Sequence, residues 1–327
     1  MQTVAVYRIR QFIAFSWLIG LVPGWISIAA ASESETLRQW LESIARSQRQ
    51  QNYEGTFIYR DSDELVSLNI VHAAGPGPDN EKLVVLDGPK RHLTNSRRHA
   101  SIKSNVADGR ATRIPGISEE LFGDKDLDRH YKVTVGSHDR VAGRETRVVH
   151  ISARDHYRYG FDLGVDLQTG LVLRVDRLDR AGRLIEQVLF TGIRFVSNEE
   201  ALALLERMDD AVNKPPIVDA ADHHAADEKN HEAWTVKRLP AGFSLADRVS
   251  HALPASSGHR LHLVFSDGLA SVSVFIESFS GEPFLGLQRV GAMNVFGNVS
   301  GGHQIIVVGD VPSETVRMVG QSVHHDR

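Results

Sequence analysis

The 327-residue chain contains no cysteine. Disulfides, thiol nucleophiles and lipid-modified cysteines are therefore excluded, and stability must come from apolar burial. Catalytic patterns are missing too, because neither a Gly-x-Ser-x-Gly nucleophile motif nor a His-Glu-x-x-His zinc motif occurs. The Gly-Pro-Gly-Pro stretch at residues 75–78 lacks the lysine of a phosphate-binding loop. We expect a protein that is not an enzyme and has no catalytic residues, no cofactor and no structural metal site.

An excess of basic residues is also missing. The chain has 37 Lys and Arg against 41 Asp and Glu, a net charge of −4. Arg8 and Arg10 are the only charged residues among the first 31, so their removal changes −4 to −6. A general nucleic-acid binder would be basic, and we therefore expect no nucleic-acid partner.

Long apolar runs are scarce, and the one that occurs is N-terminal. Residues 12–28 are mostly apolar, follow Arg8 and Arg10, and precede three alanines at 29–31. This pattern is typical of a signal peptide, predicted at residues 1–31, and the separated arginines favour the general secretory route. The alternative is an uncleaved N-terminal anchor, although Gly20, Pro23 and Gly24 interrupt the run.

Two histidine doublets are the remaining metal-ligand candidates. One, at residues 223–224, lies in a polar segment, and the other, at residues 324–325, lies at a C-terminus that we expect to be disordered. Adjacent side chains do not converge as helical i,i+4 pairs do. We therefore predict adventitious metal binding or pH sensitivity rather than a zinc site.

The pattern of apolar residues divides the mature chain into two domains. A helix is expected before residue 52, followed by short strands and hairpin turns up to a helix at 199–208. Residues 211–232 have few large apolar side chains and are predicted to be a linker. The domains are then residues 32–210 and 233–327, the second β-rich and smaller. Meandering hairpins with few helices predict an α+β class with an antiparallel sheet.

Aromatic and aliphatic side chains alternate in a strand expected at residues 157–165, and a matching apolar set follows the next hairpin. Such a face is either plain core or the wall of a ligand cavity. Few helices are available to cover the sheet, so we predict a groove suited to an acyl chain or an apolar peptide. The residues predicted to line this lipid groove are Phe57, Tyr59, Tyr159, Phe161, Leu171 and Leu173.

A basic stretch follows the Asp-Gly-Pro turn at residues 87–89. It contains Arg91, Arg97 and Arg98. The stretch is either a solvated loop or the entrance of the groove. At an entrance it would attract phosphorylated headgroups, since the guanidinium group matches phosphate geometry. We assign the three arginines as predicted headgroup contacts.

Eight short motifs resemble the RseB/MucB family of periplasmic regulators of the sigma-E envelope-stress response. Four lie in the N-terminal part, at residues 53–57, 86–89, 140–144 and 155–160. Four lie in the C-terminal part, at Trp234 and at residues 239–243, 266–271 and 308–312. The resemblance covers nearly the whole mature chain.

This resemblance implies a lipoprotein-carrier-like N-terminal domain, with a half-open, highly curved antiparallel β-sheet and helices, joined to a smaller β-rich domain. It also implies a function in the periplasm. The protein would bind the periplasmic region of a membrane-bound anti-sigma factor, protect it from regulated proteolysis, and release it on sensing envelope lipid or lipopolysaccharide. It would thus act as a negative regulator of transcription. The alternative is a periplasmic lipid or lipoprotein carrier.

The expected partners are the periplasmic domain of a transmembrane anti-sigma factor and a lipid or lipopolysaccharide ligand. The sequence leaves open whether the protein forms a homodimer. Two domains joined by a linker offer a crevice for the anti-sigma segment. A strand at residues 272–277 is expected to supply an edge with which that segment pairs.

Overall fold

The computed structural model describes residues 40–44, 46–61, 65–75, 80–86, 92–94, 127–210, 234–252, 259–278 and 281–325. The predicted signal peptide, the predicted linker and the three predicted headgroup arginines, Arg91, Arg97 and Arg98, lie outside these residues. Within the described ranges, no helix combines the length and apolar character that crossing a membrane requires.

The N-terminal sheet has nine antiparallel strands in the order β4-β3-β2-β1-β9-β8-β7-β6-β5. The strands are β1 (Tyr53–Arg60), β2 (Leu65–His72), β3 (Glu81–Val85), β4 (His92–Thr94), β5 (Tyr131–Val141), β6 (Arg144–Ala153), β7 (Gly160–Asp166), β8 (Val172–Leu178) and β9 (Leu184–Phe195). Helix α1 covers residues 40–44 and 46–50, α2 is Leu127–His130 and α3 is Asn198–Asp210. The two ends of this order do not pair with each other, so the sheet is open.

The sheet follows from alternating burial and tight turns. In β1 every second residue is buried, so Tyr53, Gly55, Phe57 and Tyr59 share the buried face. The β5–β6 turn has positive φ angles at Ala142 (49°) and Gly143 (75°), the geometry of a two-residue hairpin. Strand pairing is thus set by local turns.

One hairpin turn is held by a carboxylate and by helix α1. Asp166 accepts hydrogen bonds from the Thr169 amide (3.0 Å) and from Arg144 Nε (3.0 Å) and Nη2 (2.9 Å). Gln48 of α1 donates to the Gly170 carbonyl at 3.1 Å. These contacts join the motif at residues 140–144 to the hairpin turn at residues 166–170 and to helix α1, and their role is structural.

The C-terminal sheet has six antiparallel strands in the order β11-β12-β13-β16-β15-β14. They are β11 (Ser244–Ala252), β12 (His259–Ser266), β13 (Ser271–Ser278), β14 (Gly286–Val290), β15 (Met293–Ser300) and β16 (His303–Gly309). Helix α4 (Ser313–Ser322) buries Val316 and Val319 in the core of this sheet. Strand β10 (Trp234–Val236) pairs with β17 (Val323–His325) to close the domain. The predicted fold class, a large antiparallel sheet with few helices and a second, smaller sheet, is confirmed.

Three local predictions are wrong. Strand β13 pairs with β12 and β16, so residues 272–277 are central, and the edges of that sheet are β11 and β14. His324 lies in β17 and its Nε2 is 2.9 Å from Thr235 Oγ1, so this end of the chain is ordered. Strand β7 begins at Gly160 rather than at residue 157, because Asp155 Oδ1 accepts the Tyr157 amide at 2.9 Å and bends the chain.

His72, at the end of β2, gives the N-terminal sheet an expected pH dependence. Its Nδ1 lies 2.7 Å from the Gln51 carbonyl, and its ring stacks on Tyr53 with centroids 5.2 Å apart. Burial lowers the pKa of His72 below its ordinary value of 6.5, and the bond to Gln51 opposes only part of this effect. The unfolded chain therefore takes up a proton more readily than the folded chain.

This contribution to stability should be complete above pH 6.5 and should be lost as the pH falls below it. We expect the His72→Asn variant to lose less stability than the wild type between pH 7.5 and pH 5.5, as measured by urea unfolding. Equal losses in the two proteins would contradict the assignment.

Candidate functional site

The two sheets meet at a polar interface in which Arg158, Arg177 and Asp267 are buried, whereas Asp155 and Asp310 are partly exposed. On the N-terminal side it is formed by the start of β5, the bend between β6 and β7, and strands β8 and β9. On the C-terminal side it is formed by the loop at residues 241–243, the turn before β13, the start of β15, the residue after β16 and the start of α4. Buried charges are costly unless they are paired, and the buried arginines of this interface pair with carboxylates.

Arg158 is the first anchor of this interface. Its side chain is 0% exposed, and its three nitrogens donate to Asp267 Oδ2, Asp155 Oδ2 and the Ala241 carbonyl. Its Cζ lies 5.0 Å from the ring centroid of Phe243. Because Asp267, Ala241 and Phe243 belong to the C-terminal part, a single N-terminal arginine holds two of its loops together.

The turn that contains Asp267 orients its carboxylate for this contact. Its Oδ1 accepts the amides of Leu269 (3.0 Å) and Ala270 (2.8 Å), which leaves Oδ2 facing the N-terminal sheet. There Oδ2 accepts both Arg158 Nε and the Tyr131 hydroxyl, the latter at 3.0 Å. Burial, and then the charge of Asp267, raise the pKa of Tyr131, which therefore stays a hydrogen-bond donor.

Arg177 is the second anchor. Its Nη1 lies 2.7 Å from Glu186 Oε2, on the neighbouring strand, and its Nη2 lies 2.9 Å from Asp310 Oδ2, in the C-terminal part. The Tyr59 hydroxyl donates to Glu186 Oε1 at 2.6 Å. Burial acts to lower the pKa of Arg177, but the carboxylates of Glu186 and Asp310 more than offset it, so the net shift is upward. The guanidinium is therefore a permanent cation inside the protein.

Neutral hydrogen bonds complete the interface. Asn294 Nδ2 donates to the Tyr159 hydroxyl at 3.1 Å and to the Val311 carbonyl at 2.7 Å. Thr315 Oγ1 donates to the Tyr157 carbonyl at 2.8 Å. Together with the bonds of Arg158, these contacts bind the bend at residues 154–159 to four different segments of the C-terminal part.

The predicted lipid-groove residues fall into two groups. Phe57, Tyr59, Phe161, Leu171 and Leu173 are all at most 3% exposed, whereas Tyr159 is half-buried. Phe57 packs on Phe190 with ring centroids 5.5 Å apart. Tyr59 and Tyr159 bond to members of the interface, and the Cζ of Arg177 lies 5.6 Å from the Phe161 centroid. The assignment of these six residues to a groove stays a prediction.

The charged members of the interface were missed by sequence reasoning. Arg158, Asp267 and Asp310 each lie inside a motif that carries the family resemblance, at residues 155–160, 266–271 and 308–312. The signal that could have identified these three residues is that each belongs to a separate motif of the same family. Arg158 and Asp267 are 109 residues apart in the sequence, and Arg177 and Asp310 are 133 residues apart. No local sequence pattern predicts a contact over such a separation.

Family models match both parts of the chain. One, described as the MucB/RseB N-terminal domain, matches residues 36–214, and one described as the MucB/RseB C-terminal domain matches residues 228–324. The chain belongs to the MucB/RseB family. The RseB/MucB resemblance inferred from the eight motifs is thereby confirmed, and the interface described above lies within a MucB/RseB protein.

Curated members of the MucB/RseB family are similar along nearly their whole length. The sigma factor AlgU regulatory protein MucB of Pseudomonas aeruginosa is 29% identical over 321 residues, which cover 93% of this chain and 95% of that protein. The sigma-E factor regulatory protein RseB of Escherichia coli K12 is 26% identical over 313 residues, which cover 93% and 96%.

Solved structures of MucB show the same fold. The crystal structure of MucB in complex with MucA(peri) aligns with a TM-score of 0.62 at 27% identity, covering 88% of this chain and 98% of that chain. A structure of the Pseudomonas aeruginosa MucA/MucB complex aligns with a TM-score of 0.64 at 24% identity, covering 89% and 99%.

Proposed function

We propose that this protein is a non-enzymatic periplasmic regulator that binds the periplasmic region of a membrane-bound anti-sigma factor. Binding protects that region from regulated proteolysis, and envelope lipid or lipopolysaccharide releases it. The observation that carries the proposal is the match of both domains to the family whose named members are sigma-factor regulatory proteins. The MucB structure determined with MucA(peri) supports the choice of partner.

The lipid part of the proposal depends on the predicted groove. Buried aromatic and aliphatic side chains line one face of β1, β7 and β8, and such a face suits an acyl chain if the sheet opens. Arg91, Arg97 and Arg98 would then contact the headgroup phosphates. Export through the predicted signal peptide places the protein in the periplasm, where envelope lipids are available.

A lipid or lipoprotein carrier is the second candidate function. A carrier would need the first sheet, but it would not require a second domain joined to it. Here the buried side chains of Arg158 and Arg177 tie the second sheet to the first through ion pairs with Asp267 and Asp310. This attachment favours a regulator, in which partner binding can depend on the position of one domain relative to the other.

The test is protease protection of the partner. Residues 32–327 are mixed with the periplasmic region of the anti-sigma factor from the same organism, and trypsin digestion of that region is followed with and without lipid A. We expect protection at least tenfold above that given by an unrelated protein at equal concentration. Lipid A is expected to remove most of this protection.

Absence of protection would overturn the regulator proposal. Protection that lipid A leaves unchanged would overturn the lipid-release part alone. Binding of dansylundecanoic acid, followed by fluorescence, gives a separate measure of groove binding. Acyl-probe binding without any partner protection would favour the carrier.

A further inference from the structure

The predicted groove and the attachment of the C-terminal sheet share a row of side chains. Phe161 on β7 lies directly opposite Arg177 on β8, and Arg177 lies directly opposite Glu186 on β9. Tyr59 on β1 extends the row through its hydroxyl bond to Glu186. The row therefore begins at one groove residue and ends at another, with an ion pair between them.

Arg177 lies at the centre of this row and divides its contacts between the two sheets. One nitrogen faces Glu186 at 2.7 Å and another faces Asp310 at 2.9 Å, while the ring of Phe161 is 5.6 Å from its Cζ. Asp310 also accepts the Ser271 amide at 3.2 Å, so its carboxylate is held on the C-terminal side. A movement of Glu186 or Phe161 therefore changes a contact that crosses the interface.

We propose that Arg177 is a positioning residue that couples occupancy of the lipid groove to the attachment of the C-terminal sheet. The proposal rests on the proposed function. An acyl chain that displaces the rings of Tyr59 and Phe161 removes the hydroxyl donor from Glu186 and moves the ring beside Arg177. Inside the protein each such bond depends on its neighbours, so the contact of Arg177 with Asp310 weakens. Lipid then favours a domain arrangement with lower partner affinity, as linkage requires.

The absence of cysteine makes domain movement measurable. Ala181, in the β8–β9 turn, and Gln321, in α4, are exposed, and replacing both by cysteine creates a unique pair for spin labels. Pulsed electron paramagnetic resonance then reports the label-to-label distance in the full mature chain. The probe is lauroyl lysophosphatidylglycerol below its micelle concentration, at concentrations that saturate each variant.

Two buried tyrosines supply matched variants. Tyr59 and Tyr131 each donate a hydroxyl to a carboxylate at the interface, but only Tyr59 belongs to the row that contains Arg177. We expect lipid to shift the wild-type distance distribution, and Tyr59→Phe to reduce the shifted population at least twofold. Tyr131→Phe should keep the full shift. Asp310→Asn should broaden the distribution without lipid.

Partner affinity gives the second readout. Lipid should weaken binding of the anti-sigma segment by about fivefold or more in the wild type and in Tyr131→Phe, but by less than twofold in Tyr59→Phe. An unreduced response in Tyr59→Phe would overturn the coupling through Arg177 while leaving the proposed function intact, and so would an unshifted wild type that still protects its partner. A wild type that does not protect its partner overturns the proposed function and this coupling with it.

Discussion

Replacing Arg158 with alanine is expected to lower the free energy of unfolding by about 3–5 kcal/mol, the usual effect of removing one partner from a buried ion pair. Asp267, whose side chain is 1% exposed, would keep the Tyr131 hydroxyl and two amides but lose its cation. The Ala241 carbonyl would lose its donor, and the ring of Phe243 its cationic neighbour. Urea unfolding of the mature chain measures the effect.

Arg183→Ala is the matched control. Arg183 also pairs with an aspartate, Asp179, at 2.7 Å, but its side chain is 81% exposed. An exposed pair of this kind contributes less than about 1 kcal/mol. We therefore expect a large difference between the two variants. Equal effects would show that the burial of Arg158 does not contribute to stability, and would contradict its role as an anchor.

The double variant Arg158→Met, Asp267→Asn separates charge burial from attachment, because the asparagine oxygen can still accept the amides of Leu269 and Ala270. Removing both charges avoids an uncompensated buried carboxylate, so most of the stability lost in Arg158→Ala should return. Recovery would indicate that the ion pair determines the relative orientation of the domains more than it contributes to the free energy of unfolding. A double variant as unstable as the single one would assign the loss to packing around Phe243 instead.

Local sequence patterns were sufficient to predict most of the N-terminal sheet. The alternation in residues 53–59 and the Gly-containing turn at residues 166–170 depend only on neighbours in the chain, and in the structure they form β1 and the β7–β8 hairpin. The start of β7 differed because Arg158 faces the other domain. A bend that is stabilised by a contact with a residue 109 positions away does not change the local alternation of apolar residues, so this alternation does not predict it.

The order of strands and the interface could not be derived in the same way. Residues 272–277 alternate like an edge strand with one buried face, but their neighbours β12 and β16 make them central. Charged residues in turns, such as Asp267, are usually exposed, and their burial depends on a surface that forms only when both sheets are present. The groove residues were recognised as apolar, whereas the polar bonds of Tyr59 and Tyr159 were not foreseen.

The second large effect is expected at Phe57. Its side chain is 0% exposed, lies opposite Leu68 on β2 and Phe190 on β9, and contacts the Phe190 ring. Replacing it with aspartate removes a buried ring, which alone costs about 3–5 kcal/mol. It also places an unpaired carboxylate in apolar surroundings, which adds a further desolvation penalty. Their sum is comparable to the whole stability of a domain, roughly 5–15 kcal/mol.

We therefore expect Phe57→Asp to lose the circular dichroism signal of the N-terminal sheet at pH 7. Thr56→Asp is the control, since Thr56 is half-buried and lies on the opposite face of β1, and it should remain folded. The outcome also tests the state of the lipid groove. Unfolding would mean that Phe57 is an ordinary core residue in the lipid-free protein, so that an acyl chain could reach this position only by opening the sheet. A folded Phe57→Asp variant that no longer binds dansylundecanoic acid would instead show a cavity already open at this position, and it would remove the need for the opening step on which the coupling through Arg177 depends.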